Sequence, residues 1–240
     1  MSIKPKFNTF LALFFALIFA NNTVFAQGND PEKIIERVKT EYSKVNDYRV
    51  DVEISIDVSF LKVPKTNAQI IYKKPDKIRI LSEGFAMLPK EGLNFSPLSL
   101  FKESYTAFYV KEETVQNKKA VVVKVIPLSD KSEVILSTLW VDRSTYAILK
   151  VESTTRMNGT FEMNLSYNRS QTQYNLPSSM YFAFEVDKFN LPKGLSGPSA
   201  KKQEKKKDDG TKKTKGSVSV IYSNYKVNKG IADKEFEEKK

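Results

Sequence analysis

Residues 48–60 read YRVDVEISIDVSF, and this stretch decides the fold. Its apolar positions are Tyr48, Val50, Val52, Ile54, Ile56, Val58 and Phe60. Every position between them is polar or charged, so the two kinds of residue alternate with a period of two. That pattern is typical of a β-strand with one face in a core and the other in water. At about 3.3 Å per residue, thirteen residues would span roughly 43 Å. Because so long a strand must twist, the stretch predicts a strongly curved sheet.

A helix is predicted just before this strand. Asp30 is a good N-cap, and Pro31 suits the first helical turn. Ile34, Ile35, Val38 and Tyr42 then follow at spacings of one, three and four residues. They form one apolar stripe on a helix of about 14 residues, which Asn46 and Asp47 end.

Shorter strands are predicted in series after the long one, separated by turn signals such as Lys74-Pro75-Asp76 and Asn158-Gly159. They cover residues 68–73, 77–82, 105–111, 119–126, 133–141, 147–154, 160–167, 180–186 and 217–225. A parallel α/β fold would need helices between these strands, and the sequence predicts none. The fold class is therefore α+β and mostly β, with an N-terminal helix and an antiparallel curved sheet or incomplete β-barrel.

The segment 84–101, GFAMLPKEGLNFSPLSLF, interrupts the strand pattern. It is too apolar for an ordinary exposed loop, and two glycines and two prolines break it too often for a strand. Two interpretations stay open: a lid over an apolar cavity, or a short helix packed as core. The candidate lid residues are Phe85, Met87, Leu88, Leu93 and Phe95.

The N-terminus has the features of a secretory signal peptide. Lys4 and Lys6 precede the apolar run 10–20, which is too short to span a bilayer. Val24 and Ala26 form a small-x-small site, which predicts cleavage after Ala26 and a mature chain of residues 27–240 in one domain. Because this exported chain has no cysteine, a bacterial periplasm is the preferred location.

Much of the net charge of +11 lies in one segment, residues 192–217. It contains nine lysines, three acidic residues and almost no apolar side chains, which predicts a disordered insertion. It either contacts anionic lipid or another polyanion, or is a solvated hairpin insertion without a ligand. Nucleic acid is not expected as a partner, because no aromatic residues are interleaved with the lysines.

The residue types present exclude several classes of chemistry. Without cysteine or histidine there is no thiol nucleophile, no Ser-His-Asp triad and no site of the usual zinc type. One face of the long strand carries Asp51, Glu53 and Asp57. It is the solvent-exposed face, where charged side chains are expected to be solvated. We therefore expect no catalytic residue, no metal and no cofactor, and the chain is not expected to be an enzyme.

The order of these elements, with three short motifs, resembles a known family. The motifs are YKKPDKIRI at residues 72–80, LWVD at 139–142 and YKVN at 225–228. Together with the leader, the helix and the long strand, they resemble the outer-membrane lipoprotein-sorting family, the LolA/LolB-like periplasmic carriers. The resemblance covers most of residues 30–228.

The resemblance implies an incomplete antiparallel barrel whose apolar interior shields the acyl chains of lipoproteins, or another lipid, on the way to the outer membrane. The cavity-lining candidates are Val50, Val52, Ile54, Ile56, Val58, Tyr72, Ile78 and Ile80. In the carrier proper an arginine just before the motif's proline latches the lid. Lys74 takes that position here, and lysine lacks the planar fork of arginine.

Three functional hypotheses follow. The first is a monomeric periplasmic chaperone that binds lipid and meets delivery partners at the inner and outer membranes. The second is a regulatory or interaction protein on the same fold that senses envelope lipids or lipoproteins. The third, an enzyme acting on lipid or glycan, is disfavoured by the missing histidine and cysteine. From periodicity alone, the apolar interior is either a cavity or a core filled by its own side chains.

Overall fold

A long antiparallel sheet with one α-helix is the framework of the chain. The computed structural model describes residues 29–58, 61–62, 64–82, 100–157, 159–186 and 214–237. The elements are α1 (Pro31–Ser43), β1 (Asp47–Val58), β2 (Leu61–Lys62), β3 (Thr66–Lys73), β4 (Lys77–Leu81), β5 (Tyr105–Val115), β6 (Lys118–Pro127), β7 (Val134–Asp142), β8 (Ile148–Thr155), β9 (Thr160–Ser166), β10 (Ser179–Val186), β11 (Thr214–Val227) and a 3-10 turn at Asp233–Phe236. All of them belong to the unit Pro31–Lys240.

The strands form one sheet in the order β4-β3-β1-β11-β10-β9-β8-β7-β6-β5, with β2 paired to β1 alone. Every pairing is antiparallel, as the series of short strands predicts. Within the described residues no ladder joins β4 to β5, so the sheet is not closed into a barrel. The predicted fold class is confirmed.

The core lies between α1 and the face of the sheet that we call the inner face. Ile34, Ile35 and Val38 of α1 are buried in one cluster with Val50, Val52 and Ile54 of β1. The same cluster contains Ala68 and Ile70 near one edge of the sheet, and Val121, Val123 and Val125 near the other. Side chains from distant strands reach a single cluster because the sheet curls around the helix.

The hairpin between β5 and β6 shows why one strand is longer than predicted. Gln116 and Asn117 both have positive φ angles, 51° and 60°, as a type I′ turn requires. Such a turn keeps the two strands paired up to Val115 and Lys118. The prediction ended β5 at Lys111, before the polar residues Glu112, Glu113 and Thr114, yet the ladder continues through them.

The C-terminal segment, residues 228–237, binds to β1, β3 and β4 on the outer face of the sheet, which is the face opposite the inner face. The sequence analysis did not predict these contacts. The Asp47 carboxylate accepts hydrogen bonds from the backbone N–H groups of Lys229 and Gly230, at 3.0 and 3.2 Å. Arg49 pairs with Glu235, and Lys73 reaches Asp233 at 2.8 Å. The apolar residues of this segment have no regular spacing from which its position could be predicted. Among residues 228–237, Ile231 is the one that is buried.

Other boundaries differ only slightly from those predicted. The described part of the long strand is Asp47–Val58, and Phe60 lies outside the described residues. Helix α1 has 13 residues. β11 begins at Thr214, before the predicted Ser217. The signal peptide, residues 84–99 of the predicted lid segment 84–101 and most of the lysine-rich insertion lie outside the described residues. Phe101 is buried in the core, and Leu100 packs against it. None of the helices in the described ranges has the length and apolar content that crossing a bilayer requires.

Candidate functional site

The side chains of the inner face are buried to different extents along the strands. Toward one end of the sheet, which we call the open end, β10 pairs with β9 and β11 so that Phe184 lies opposite Phe161 and Gly216. Several apolar side chains at this end are only partly buried. We name the following set the aromatic patch: Phe161, Phe182 and Phe184, with Ile56 and Val218 beside them.

The aromatic patch is a continuous apolar surface. The ring centroids of Phe161 and Phe182 lie 5.3 Å apart, and those of Phe182 and Phe184 lie 5.4 Å apart. Phe182 and Val218 also pack against the buried core, which fixes the base of the patch. Partly exposed aromatic rings on a concave face provide contact area for an apolar ligand without any polar group to orient it.

The opposite end of the inner face is filled by tyrosines, and we call it the closed end. Tyr48 stacks on Tyr72 with the ring centroids 5.1 Å apart and meets Tyr225 edge-on at 5.9 Å. The hydroxyls of Tyr42 and Tyr167 lie 3.0 Å apart, and Tyr167 donates to the carbonyl of Ile148 at 2.7 Å.

Burial, not a neighbouring acid, dominates the chemistry of the closed end. Loss of solvent raises the pKa of Tyr42 to about 12 from an ordinary value of 10.0. Burial also raises the pKa of Tyr48 and of Tyr222 above the ordinary range. These hydroxyls therefore stay protonated at neutral pH, where they donate hydrogen bonds and act as neither bases nor nucleophiles.

Stability should consequently fall in alkaline solution. The folded chain holds the Tyr42 proton more tightly than the unfolded chain does, with pKa values of about 12 and 10.0. The resulting stabilisation is complete below pH 10 and is lost as the pH rises from 10 toward 12, by about 2 kcal/mol for this one group. Melting temperatures between pH 8 and 12 should fall less steeply in Tyr42→Phe than in wild type. Parallel profiles would contradict this assignment.

The structure separates the predicted cavity residues into groups. Val50, Val52 and Ile54 are buried in the main core. Ile56 is partly exposed and belongs to the aromatic patch, whereas Tyr72 lies at the closed end. Ile78 and Ile80 are partly buried on the edge strand β4, and only the backbone of Val58 is described. The role of these residues in lipid binding stays a prediction.

The candidate latch lies at the closed end. Lys74 follows β3, and its peptide bond to Pro75 is cis. Its ammonium donates to the carbonyl of Ser43 at the end of α1 and to Asn46 Oδ1 at 3.2 Å. The five candidate lid residues lie outside the described ranges, so the latch also stays a prediction.

Sequence reasoning missed the three phenylalanines of the aromatic patch. Phe182 and Phe184 alternate with Tyr181 and Ala183 in a strand that was predicted at residues 180–186. The signal was the same period of two that identified β1. Only the pairing of β10 with β9 brings Phe161 to them.

The outer face carries a different kind of concavity. A groove of about 840 Å³ crosses β1 and β3 there, and its lining includes Asp51, Glu53, Lys65, Asn67 and Gln69. Charged and amide groups make this groove unsuitable for an acyl chain. Over the part of the chain that the structure describes, no three acidic side chains cluster in a way that could hold a metal ion.

Comparison with solved structures identifies the fold. A domain from Vibrio parahaemolyticus assigned to outer membrane lipoprotein sorting is 13% identical, with a TM-score of 0.54, over 86% of this chain and 95% of that one. A LolA superfamily protein from Nitrosomonas europaea is 13% identical, with a TM-score of 0.55, over 87% of this chain and 97% of that one. A DUF1329 family protein from Desulfovibrio piger has 13% identity and a TM-score of 0.54, over 87% and 98% of the two chains.

These similarities extend over nearly the whole length of the known proteins, and they show that this chain has the LolA-like fold. The resemblance found in the sequence is thus confirmed at the level of the fold. No family model matches the sequence, and no curated protein matches it.

Proposed function

We propose that this chain is a periplasmic carrier that binds the acyl chains of lipoproteins, or of another lipid, on the inner face of its sheet. The observation that carries the proposal is the aromatic patch at the open end. Its three rings and two aliphatic side chains are only partly buried, whereas Val52, Ile54 and Met163 of the same face are buried in the core. The fold shared with a domain assigned to lipoprotein sorting supports the same conclusion.

The energetics of such a site need no catalytic group. Each methylene of an acyl chain that leaves water contributes about 0.8 kcal/mol, so ten buried methylenes contribute about 8 kcal/mol before the cost of association. A carrier must also release its ligand, and moderate affinity built from apolar contacts allows that. We therefore propose that the chain acts by binding and does not turn over a substrate.

The remaining features of the proposal come from the sequence. Residues 1–26 would direct export and be removed, leaving a monomeric domain of residues 27–240 in the periplasm. Lys74 and the apolar segment 84–101 would control access to the ligand, as the resemblance implies. Delivery partners at the inner and outer membranes would receive the lipid when the site opens.

Native mass spectrometry of the mature chain tests this function. The protein is purified without detergent, and a diacylated or triacylated lipopeptide is then added. We expect a one-to-one complex with the acylated peptide and none with the same peptide lacking its acyl chains. If the chain takes up neither the lipopeptide nor a phospholipid, the aromatic patch is not a lipid site and the proposed function is wrong.

A further inference from the structure

Lys39 of α1 is a half-buried cation held by aromatic side chains. Its ammonium nitrogen lies 4.7 Å from the ring centroid of Tyr105 and 5.4 Å from that of Phe101. It also donates a hydrogen bond to the Tyr105 hydroxyl at 2.9 Å. Phe101 is buried in the core, and Tyr105 packs against it. Because all of these partners are neutral, Lys39 keeps its full positive charge next to the inner face.

No carboxylate balances this charge in the part of the chain that the structure describes. Other lysines form ion pairs with acidic side chains, among them Lys44, Lys65, Lys73, Lys77, Lys111, Lys118 and Lys150. Lys39 takes part in none of these pairs. An ammonium group has three N–H donors, and Tyr105 accepts one of those of Lys39. Since an unpaired charge that is partly removed from water is unfavourable, an anionic group that reached Lys39 would be bound.

Strand pairing places Lys39 at the open end of the inner face. Tyr105 lies opposite Pro127, and the next residue of β5 on the inner face is Ala107. Ala107 begins a row of residues that lie opposite one another on successive strands, namely Val125, Ser137, Ser153, Phe161 and Phe184. Tyr105 is therefore two residues beyond a row that contains two rings of the aromatic patch.

The distance between Lys39 and the aromatic patch matches the size of a lipid. β5 and β9 are separated by four strand spacings of about 4.8 Å, or about 19 Å along the curved sheet. One acyl chain covers about 15 Å, which is half the hydrocarbon core of a bilayer. A single lipid can therefore contact both places.

The same row also contains a pair of buried hydroxyl groups. Ser137 and Ser153 are each 1% exposed, and their oxygens lie 2.7 Å apart. One hydroxyl donates to the other, so one of the two protons has no acceptor among the described residues. The row thus passes from the aromatic ring of Phe161 to hydroxyl groups, and the cation lies beyond it. An amphiphilic lipid has the same order of acyl chain, carbonyl groups and charged head group.

We propose that Lys39 and Tyr105 form a head-group subsite, which binds the anionic group of a lipid whose acyl chain extends along the inner face to the aromatic patch. The ammonium donates to one phosphate or carboxylate oxygen of the lipid. The Tyr105 hydroxyl, which accepts from Lys39, donates its own proton to a second oxygen. This inference rests on the proposed carrier function and deepens it, because it selects acidic lipids over neutral ones.

Isothermal titration calorimetry of the mature chain tests the head-group subsite with two matched pairs of lipids. Palmitoyl lysophosphatidic acid and monopalmitoylglycerol differ only in the phosphate, whereas palmitate is compared with hexadecanol for the carboxylate. We expect the acidic member of at least one pair to bind about tenfold more tightly than the neutral member, and less so at high salt. The pair that shows the preference identifies the anion as phosphate or carboxylate.

Lys39→Met is the variant that removes the charge and keeps an apolar stem beside the two rings. Its preference for the acidic lipid should fall to about twofold or less, whereas Lys39→Arg should keep most of it. Tyr105→Phe should lose part of the preference, because it lacks the second donor. Lys44→Met is the matched control, since Lys44 follows the same helix, pairs with Glu41 and has a side chain that is 53% exposed. The preference of this control should equal that of wild type, and circular dichroism shows that each variant is folded.

Two results would overturn the head-group subsite. One is equal affinity of the wild-type chain for the acidic and neutral members of both pairs, and the other is a Lys39→Met variant that keeps the full preference. The neutral lipids distinguish this failure from a failure of the carrier function. A wild-type chain that binds acidic and neutral lipids equally is still a carrier, whereas one that binds none of the four contradicts both proposals.

Discussion

A chain carrying Val52→Asp is expected to lose about 5 kcal/mol of folding free energy and to melt about 10–20 °C below wild type. Val52 of β1 is 2% exposed and belongs to the main core, which also contains side chains of α1. A carboxylate there has no cation among the described core residues, which are apolar apart from the hydroxyl of Tyr42. Since whole domains are stable by only about 5–15 kcal/mol, much of the protein should be unfolded at 37 °C.

The matched control for this variant is Ser55→Asp on the same strand. Ser55 points to the outer face, where it lies opposite Ser219, and a carboxylate there keeps its water. Its melting temperature, measured by circular dichroism, should remain within a few degrees of wild type. If Val52→Asp melts as wild type does, the assignment of the two faces of β1 is incorrect.

The second large effect is expected at the aromatic patch. Phe182→Asp should lower the affinity for an acylated peptide about a hundredfold, since about 3 kcal/mol of apolar contact is lost and a charge faces the acyl chain. Phe182 is only partly buried, so the domain should remain folded. Isothermal titration calorimetry with a diacylated peptide measures the change.

Tyr181→Asp provides the comparison for this experiment. Tyr181 precedes Phe182 on β10, points to the other face of the sheet and is 45% exposed. The new charge has the same sign and nearly the same position in the chain, but it should leave lipid affinity unchanged. Equal losses in the two variants, or no loss in Phe182→Asp, would remove the aromatic patch from the binding site.

The sequence predicts the architecture well because the sheet is built by local alternation. The stretch 48–60 identifies β1 and its buried face, and the apolar stripe of α1 identifies what covers it. The position of the C-terminal segment could not be predicted, because it is held by ion pairs such as that between Arg49 and Glu235, which are 186 residues apart in the sequence. Contacts of that separation leave no periodic pattern in the chain.

The candidate site was less predictable than the fold. Alternation shows that Val52 and Ile56 share a face, but it cannot show that Val52 is buried in the core and that Ile56 is only partly buried. That difference depends on how the elements pack together in three dimensions. The open end is therefore a property of the packing, and only coordinates distinguish its residues from ordinary core.

The position of β1 in the sheet sets the timing of folding during synthesis. β1 lies between β3 and β11, so the first strand of the domain pairs with its last. Asp47 is fastened by Lys229, 182 residues later. A ribosome-bound or partly translocated chain that lacks residues 214–227 leaves one edge of β1 unpaired. In such an intermediate the unpaired edge of β1 is a long template for aggregation. Folding is also slow, because the central ladder between β1 and β11 joins residues that are far apart in the sequence. The ladder between β1 and β11 can therefore form only after residues 214–227 have been synthesised.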